Sequence, residues 1–217
     1  LNLVLQKRYA LLNWQQGSGK TAAVYHRAKY LLKFRKAKNV IILAPAIATN
    51  MTWIPFLTIN KERFRTIQTA GDLNNIPEGA FLVVSTSMLR KLKRGLMRFV
   101  KRTSGKLCLV FDESDEITNP TSQRTRNILC IFRRLRYKIL DTGTTTRNNI
   151  AELYSQFELL YNNSVNMICW SPQVYHENRD HEIEEENNPD YGTPFPAFRG
   201  HVLFRACHCP GKATVFG

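Results

Sequence analysis

The sequence predicts an α/β protein in which a central, mostly parallel sheet is covered by helices on both faces. Three observations carry that expectation. Apolar runs of strand length at Asn39–Ala44, Phe81–Ser85, Leu107–Phe111 and 137–140 are continuous rather than alternating, which suits strands buried on both sides. Stretches of helical periodicity separate them, as in layered α/β architectures. The third is Gln16-Gly17-Ser18-Gly19-Lys20-Thr21, a glycine-rich turn between the apolar run Ala10-Leu11-Leu12-Asn13-Trp14 and a helical stretch.

Taken in order, residues 2–9 read as a short amphipathic helix or an irregular lead-in, and the first strand and its glycine-rich turn follow. A buried strand that ends in such a turn and enters a helix leaves several backbone N–H groups pointing at one spot, a seat for a phosphate chain. Lys20 would reach the outer phosphates, and Thr21 would place its hydroxyl on Mg²⁺. The full phosphate-loop pattern starts on Gly, where this chain has Trp14; Gly17 and Gly19, nearest the phosphates, are present. Thr21, Ala22, Ala23 and Val24 lead into Ala28, Leu31 and Leu32 at helical spacing, which predicts a helix to about Arg35.

The buried run Asn39–Ala44 is ended by Pro45, and residues 48–57 read as a helix with Thr49 and Asn50 near its start as caps. A weak strand is expected at 65–68 and a strong one at Phe81–Ser85. From 88 to 100 the apolar residues Met88, Leu89, Leu92, Leu96, Phe99 and Val100 form a helical stripe, with Arg90, Lys91, Lys93, Arg94, Arg98 and Lys101 between them and Gly95 as a weak point. The basic face serves either as a solvated surface or as a phosphate contact. Leu107–Phe111 stops on Asp112-Glu113, and the last clear strand, 137–140, is followed by a polar turn and a helix over 150–160. After Tyr161 the pattern fades into Pro-punctuated sequence, read as an irregular extension.

Composition bounds the possibilities. At 217 residues with 43% hydrophobic and 11% aromatic content, the chain can build one domain with a real core and is not a disordered tail. No apolar run reaches bilayer-spanning length and the start lacks a signal-peptide layout, so no membrane partner and a cytoplasmic location are expected. The Leu1 start reads as a piece of a longer protein. The net charge is +14, and residues 176–190 hold seven of the 17 acidic residues and one of the 31 basic ones. The remainder has 30 basic against 10 acidic residues, a net of +20, which would attract a polyanion. Arg124, Arg126, Arg133, Arg134 and Arg136 add to that field. Five cysteines without framework spacing suggest reduced thiols. Cys108 and Cys130 read as core, and Cys207-His208-Cys209 with His201 has poor spacing for tetrahedral zinc.

In a parallel sheet, ligands bind at the carboxyl ends of the strands. The segments that follow strand ends here are 17–21, 45–53, 85–87, 112–115 and 142–149, so the chemically interesting residues gather on one rim. Nucleotide hydrolysis needs a carboxylate to hold the metal ion and another to orient or deprotonate water. Asp112 and Glu113 at a buried strand tip fit, although two acids there could also be a plain strand end with a helix cap.

With these residues in view, Asp112-Glu113-Ser114-Asp115 resembles the Asp-Glu-Ala-His or Asp-Glu-Ala-Asp box of helicase superfamily two. Its continuation through Asn119-Pro120 and Ser122 resembles that of Swi/Snf-type DNA translocases. The stretch Leu140-Asp141-Thr142-Gly143-Thr144-Thr145-Thr146-Arg147-Asn148, followed by Glu152-Leu153-Tyr154, is similar to that family's third motif. Ala44-Pro45 with Asn50 and Trp53 resembles motif Ia of its phage and bacterial branch. The similarity spans about residues 10–160.

The resemblance implies a RecA-like P-loop three-layer sandwich over residues 1–160, the first lobe of a two-lobed motor, with residues 161–217 an irregular extension packed on it. It implies ATP and Mg²⁺ as cofactors and double-stranded DNA as partner, together with a second RecA-like lobe. Gln16, Gly17, Ser18, Gly19, Lys20 and Thr21 would bind the triphosphate, Thr21 and Asp112 the metal, and Lys20, Asp112 and Glu113 would carry the catalysis. Asn50, Ser85, Thr86, Ser87, Thr142, Thr144 and Asn148 would contact nucleic acid or couple it to the nucleotide, with Trp53 a packing residue rather than a base stacker. Thr145 and Arg147 depart from the third motif, and Asp115 replaces the His of many relatives. An Asp-Glu-Ala-Asp-box RNA helicase and a non-hydrolysing DNA- or partner-binding module are the alternatives. Asn119-Pro120 argues against the first.

Overall fold

Six strands, β1 (Tyr9–Asn13), β2 (Asn39–Ala44), β3 (Phe64–Thr66), β4 (Phe81–Ser85), β5 (Leu107–Phe111) and β6 (Tyr137–Thr142), form one sheet in the order β1-β6-β5-β2-β4-β3. Every pairing is parallel. The computed structural model describes residues 7–15, 17–103, 106–143 and 150–161. The helices are α1 (Lys20–Lys33), α2 (Ala46–Ala48), α3 (Ile54–Ile59), α4 (Leu89–Arg102), α5 (Gln123–Phe132) and α6 (Tyr154–Tyr161).

The continuous apolar runs of β2 and β5 are buried at every position, as strands covered on both faces must be. Because side chains alternate across a strand, each run feeds two cores. On one face Val40, Ile42, Val83, Cys108, Val110 and Ile139 pack with Val24, Ala28 and Leu31 of α1 and with Trp53 and Leu57. On the other, Ile41, Leu43, Leu82, Leu109, Phe111 and Leu140 pack with residues of α4, α5 and α6.

The stripe expected at 88–100 is α4: Leu89, Leu92, Leu96 and Phe99 are buried while Arg90, Lys91, Arg94, Arg98 and Lys101 are exposed. Each such apolar side chain contributes about 1.5–3 kcal/mol on burial. Gly95 has a packing reason for its place in this helix, since a Cβ there would come within 3.1 Å of the Ala70 Cβ and 3.4 Å of Leu73.

The structure differs from the sequence reading in local detail. The helical segment expected at 48–57 starts at Ala46, with Pro45 at the N-cap and neither Thr49 nor Asn50 capping it. Pro45 fixes φ near the helical value and lacks the N–H that the next ladder bond would need, so β2 stops and a helix begins at once. Thr49 is buried inside this segment, which widens into a π-helical turn over Thr49–Trp53 before α3. The last helix divides into a 3₁₀ turn, Ile150–Leu153, and α6. Residues 7 and 8 are not helical and β1 begins at Tyr9. Cys108 is fully buried and Cys130 only partly. The extension from 162 on, including the Cys207–Cys209 cluster and the acidic stretch, lies outside the described residues. Among the described residues no helix is long and apolar enough to cross a membrane.

Candidate nucleotide site

Since β6 and β5 lie between β1 and β2, the loop after β1 and the acids after β5 end on the same rim, two strands or about 10 Å apart. β1 runs into a turn in which Ser18 donates to the Gln15 carbonyl from both its backbone N–H and its hydroxyl. Gly17 and Gly19 adopt left-handed backbone at φ +77° and +83°, and nothing lies within 4 Å of where a Cβ would stand at either. Only glycine takes this conformation freely, and the open space beside it lets a ligand approach the backbone. Gly19 is the N-cap of α1, so the free N–H groups of the first turn and the positive end of the helix dipole open onto the loop. Lys20 arches back to donate to the Trp14 carbonyl at 3.1 Å. Trp14 is thus where the loop and its lysine meet through the backbone, a contact indifferent to the residue type. Gln16 lies outside the described residues.

The acid side is built differently. Asp112 extends the β5 ladder by donating its N–H to the Leu43 carbonyl at 2.9 Å, and it is 8% exposed. Glu113 takes a left-handed backbone at φ +54°, which costs a non-glycine residue about 1–2 kcal/mol. That turn puts its carboxylate where the Gly143 backbone N–H donates to it and where Lys20 attracts it. Burial, and next the Asp112 carboxylate, push the Glu113 carboxyl above its ordinary range, with Lys20 opposing the shift. Lys20 of the glycine-rich loop and Glu113 therefore lie within electrostatic reach of one another.

The remaining sequence-predicted residues divide. Thr142 is fully buried and donates its hydroxyl to Asp115 Oδ1 at 3.2 Å, tying the end of β6 to the turn after β5. Asp115 thus has its partner on the third motif. Ser85 and Ser87 share a hydrogen bond of 2.8 Å at the end of β4, while Thr86 between them is buried and faces inward. Asn50 is exposed on the same rim. Thr144 and Asn148, like Thr145 and Arg147, lie outside the described residues.

Two features escaped the sequence reading. Asp141, at the end of β6, is 1% exposed, and its carboxyl meets no N–H or hydroxyl donor among the described residues, only the Asp112 carboxyl, with which it shares a hydrogen bond. Burial, and next the adjoining Asp112, raise its carboxyl well above the usual carboxylate range. The signal was present in the register: Phe111 pairs with Leu140, so Asp112 and Asp141 fall side by side on the α1 face. The other is Trp53, which is indeed a buried packing residue at 1% exposure, but whose indole Nε1–H also donates to Asp112 Oδ2 at 2.7 Å.

The donor set fits a hard divalent cation: the Thr21 hydroxyl on the first turn of α1, Asp112, and the Asp141 carboxyl beside it. Among the described residues no three His, Cys, Asp or Glu side chains form a group that could hold a metal by themselves. Magnesium keeps several waters and takes substrate phosphates as ligands, so the two carboxyls and one hydroxyl here would make up only part of its shell.

No protein-family model matches the chain. Over 175 residues it is 27% identical to the ATP-dependent helicase FUN30 of Saccharomyces cerevisiae, an alignment covering 75% of this chain and 15% of that protein. Two structures of the Sulfolobus solfataricus SWI2/SNF2 ATPase core, one in complex with dsDNA, superpose with TM-scores of 0.55 at 16% identity. They cover 91% and 95% of this chain, which spans 38% and 39% of theirs. At that identity the likeness concerns the fold, and the fold is the RecA-like α/β sandwich of the SWI2/SNF2 core, as the motifs implied.

Proposed function

We propose that this chain is the first, ATP-binding lobe of a Swi/Snf-type ATP-dependent translocase acting on double-stranded DNA, of the phage or bacterial branch and cytoplasmic. One observation carries the reading: Lys20, on a loop of left-handed glycines at a helix N-terminus, shares an electrostatic site with Glu113 and Asp141 beside Asp112. The similarity to a named ATP-dependent helicase and to the SWI2/SNF2 core supports it. Gly17, Ser18, Gly19 and Lys20 cradle the triphosphate, and Thr21 with Asp112 would hold magnesium. When bound, that ion neutralises charge on the phosphate oxygens. Glu113 orients and deprotonates the attacking water, and its raised carboxyl suits a base. Thr142, hydrogen-bonded to Asp115, relays the state of the site to the rim. A second lobe supplies the arginine that accelerates phosphoryl transfer in such motors by roughly 10³–10⁵, so this chain alone turns over slowly.

Equilibrium titration with a fluorescent ATP analogue tests the reading. The wild-type chain binds it in the presence of Mg²⁺ and Lys20→Ala abolishes binding; unchanged affinity in the variant means that the phosphate seat is misassigned. Stimulation of hydrolysis by duplex DNA, not by single-stranded RNA, separates the translocase from an RNA helicase.

A further inference from the structure

Asp112 is gripped from the side opposite the phosphate loop's own strand. The Trp53 indole N–H reaches Asp112 Oδ2 at 2.7 Å, with Trp53 1% and Asp112 8% exposed. On its other flank Asp112 meets Asp141, a second acid with which it shares a side-chain hydrogen bond. An indole has a single donor and no acceptor, so the contact engages Oδ2 and sets it apart from Oδ1, fixing how the carboxylate is turned. Packing of Trp53 against Phe56, with ring centroids 6.4 Å apart, holds the ring in place.

Trp53 also closes the π-helical turn Thr49–Trp53, an uncommon backbone form that concentrates at functional sites. On the outer side of that turn Asn50, Met51 and Thr52 are exposed, Met51 at 77%. A single short turn thus presents polar and apolar side chains to whatever lies on the rim and grips the metal-facing carboxylate from within.

We propose that Trp53 is a positioning residue for Asp112, fixing through its indole N–H which carboxylate oxygen faces the divalent cation and tying that orientation to the turn on the rim. The proposal rests on the reading above, in which Asp112 helps to hold magnesium. Partners that orient a metal-binding side chain typically matter by about 10- to 100-fold in metal affinity.

Trp53→Phe keeps an aromatic ring in the pocket and removes only the donor. Binding of a fluorescent ADP analogue, measured against Mg²⁺ concentration and again in EDTA, is the readout. In the variant, half-saturating Mg²⁺ rises about 10- to 100-fold, while affinity in EDTA stays within about twofold. An equal loss in both conditions marks a structural residue and overturns the proposal, as does an unchanged Mg²⁺ dependence. Wild-type chain that binds no nucleotide removes the ATP reading and this one with it, whereas Mg²⁺-dependent binding indifferent to Trp53→Phe removes only the role of Trp53. If the variant does not fold, the solvent-protected Trp53 indole N–H signal in the wild-type proton–nitrogen spectrum decides. It moves on adding Mg²⁺ with nucleotide if the proposal holds and stays still if it does not.

Discussion

Strand β6 buries two charged residues three positions apart and treats them in opposite ways. Lys138, turned toward α5 and α6, donates its ammonium to the carbonyls of Arg133 and Leu159, the latter at 2.6 Å, and has Glu158 nearby. Asp141, turned toward α1, meets no N–H or hydroxyl donor among the described residues and shares its hydrogen bond with another acid, Asp112. Both are 1% exposed, so burial alone does not distinguish them. A charge buried for the fold's sake comes with its partners, because leaving it alone would be costly. An acid whose hydrogen bond goes to a second acid, at a strand's carboxyl end and within the field of Lys20, is stability given up at a site that a cation and phosphates would complete.

Three substitutions sharpen that contrast. Glu113→Gln has the largest expected effect: it removes the proton acceptor and keeps shape, so turnover falls by roughly 10²- to 10⁴-fold while Mg-ATP binding persists. Steady-state hydrolysis beside equilibrium binding checks it, and parallel loss of both would make Glu113 structural. Next is Asp141→Asn, whose amide can donate to Asp112 at any pH, as the acid can only while it holds its proton. Because the fold raises the Asp141 carboxyl, the native chain holds a proton that the unfolded chain has released, and its stability falls as pH rises through the window between the ordinary carboxylate range and the raised value. The amide escapes this, so its advantage in urea melts grows with pH by up to about 1.4 kcal/mol per unit. A variant no more stable than wild type at pH 7 would mean that the fold does not raise the Asp141 carboxyl.

The glycine-rich turn was legible because its geometry is local: Gly17, Gly19, Lys20 and Thr21 are neighbours in sequence, and they form one turn at one helix end. The strands were legible because continuous apolar runs have few other uses. What could not be read is what depends on pairing. Asp141 acquires its meaning only when Phe111 meets Leu140, and Trp53 only when the turn after β2 folds against the end of β5. The helix start at Ala46 was misplaced because Thr49 and Asn50 are good caps in isolation, whereas Pro45 sets the boundary. Glu113 was found as an acid at a strand tip, but its left-handed backbone and its bond from Gly143 needed the fold.

The smallest expected effect comes from the partnered charge. Burial lowers the Lys138 ammonium from its ordinary value of 10.5 to about 8, with Glu158 opposing the shift. Between those values the unfolded chain still carries the proton and the native chain has released it, so the chain becomes more stable as pH rises from about 8 to about 10.5. Below that window the full penalty for the buried ammonium applies, and above it the penalty is gone. The carbonyls of Arg133 and Leu159 accept from the neutral amine as well as from the ammonium, so the contact survives the titration and only its charge cost changes. The gain is on the order of 1–3 kcal/mol, and Lys138→Met, which has nothing to titrate, should lack it. Urea midpoints of the two proteins at pH 7.5 and 10 isolate the difference, since every other titrating group is common to both. Equal pH slopes would mean that Lys138 is solvated in the folded chain, and the contrast with Asp141 would then reduce to exposure.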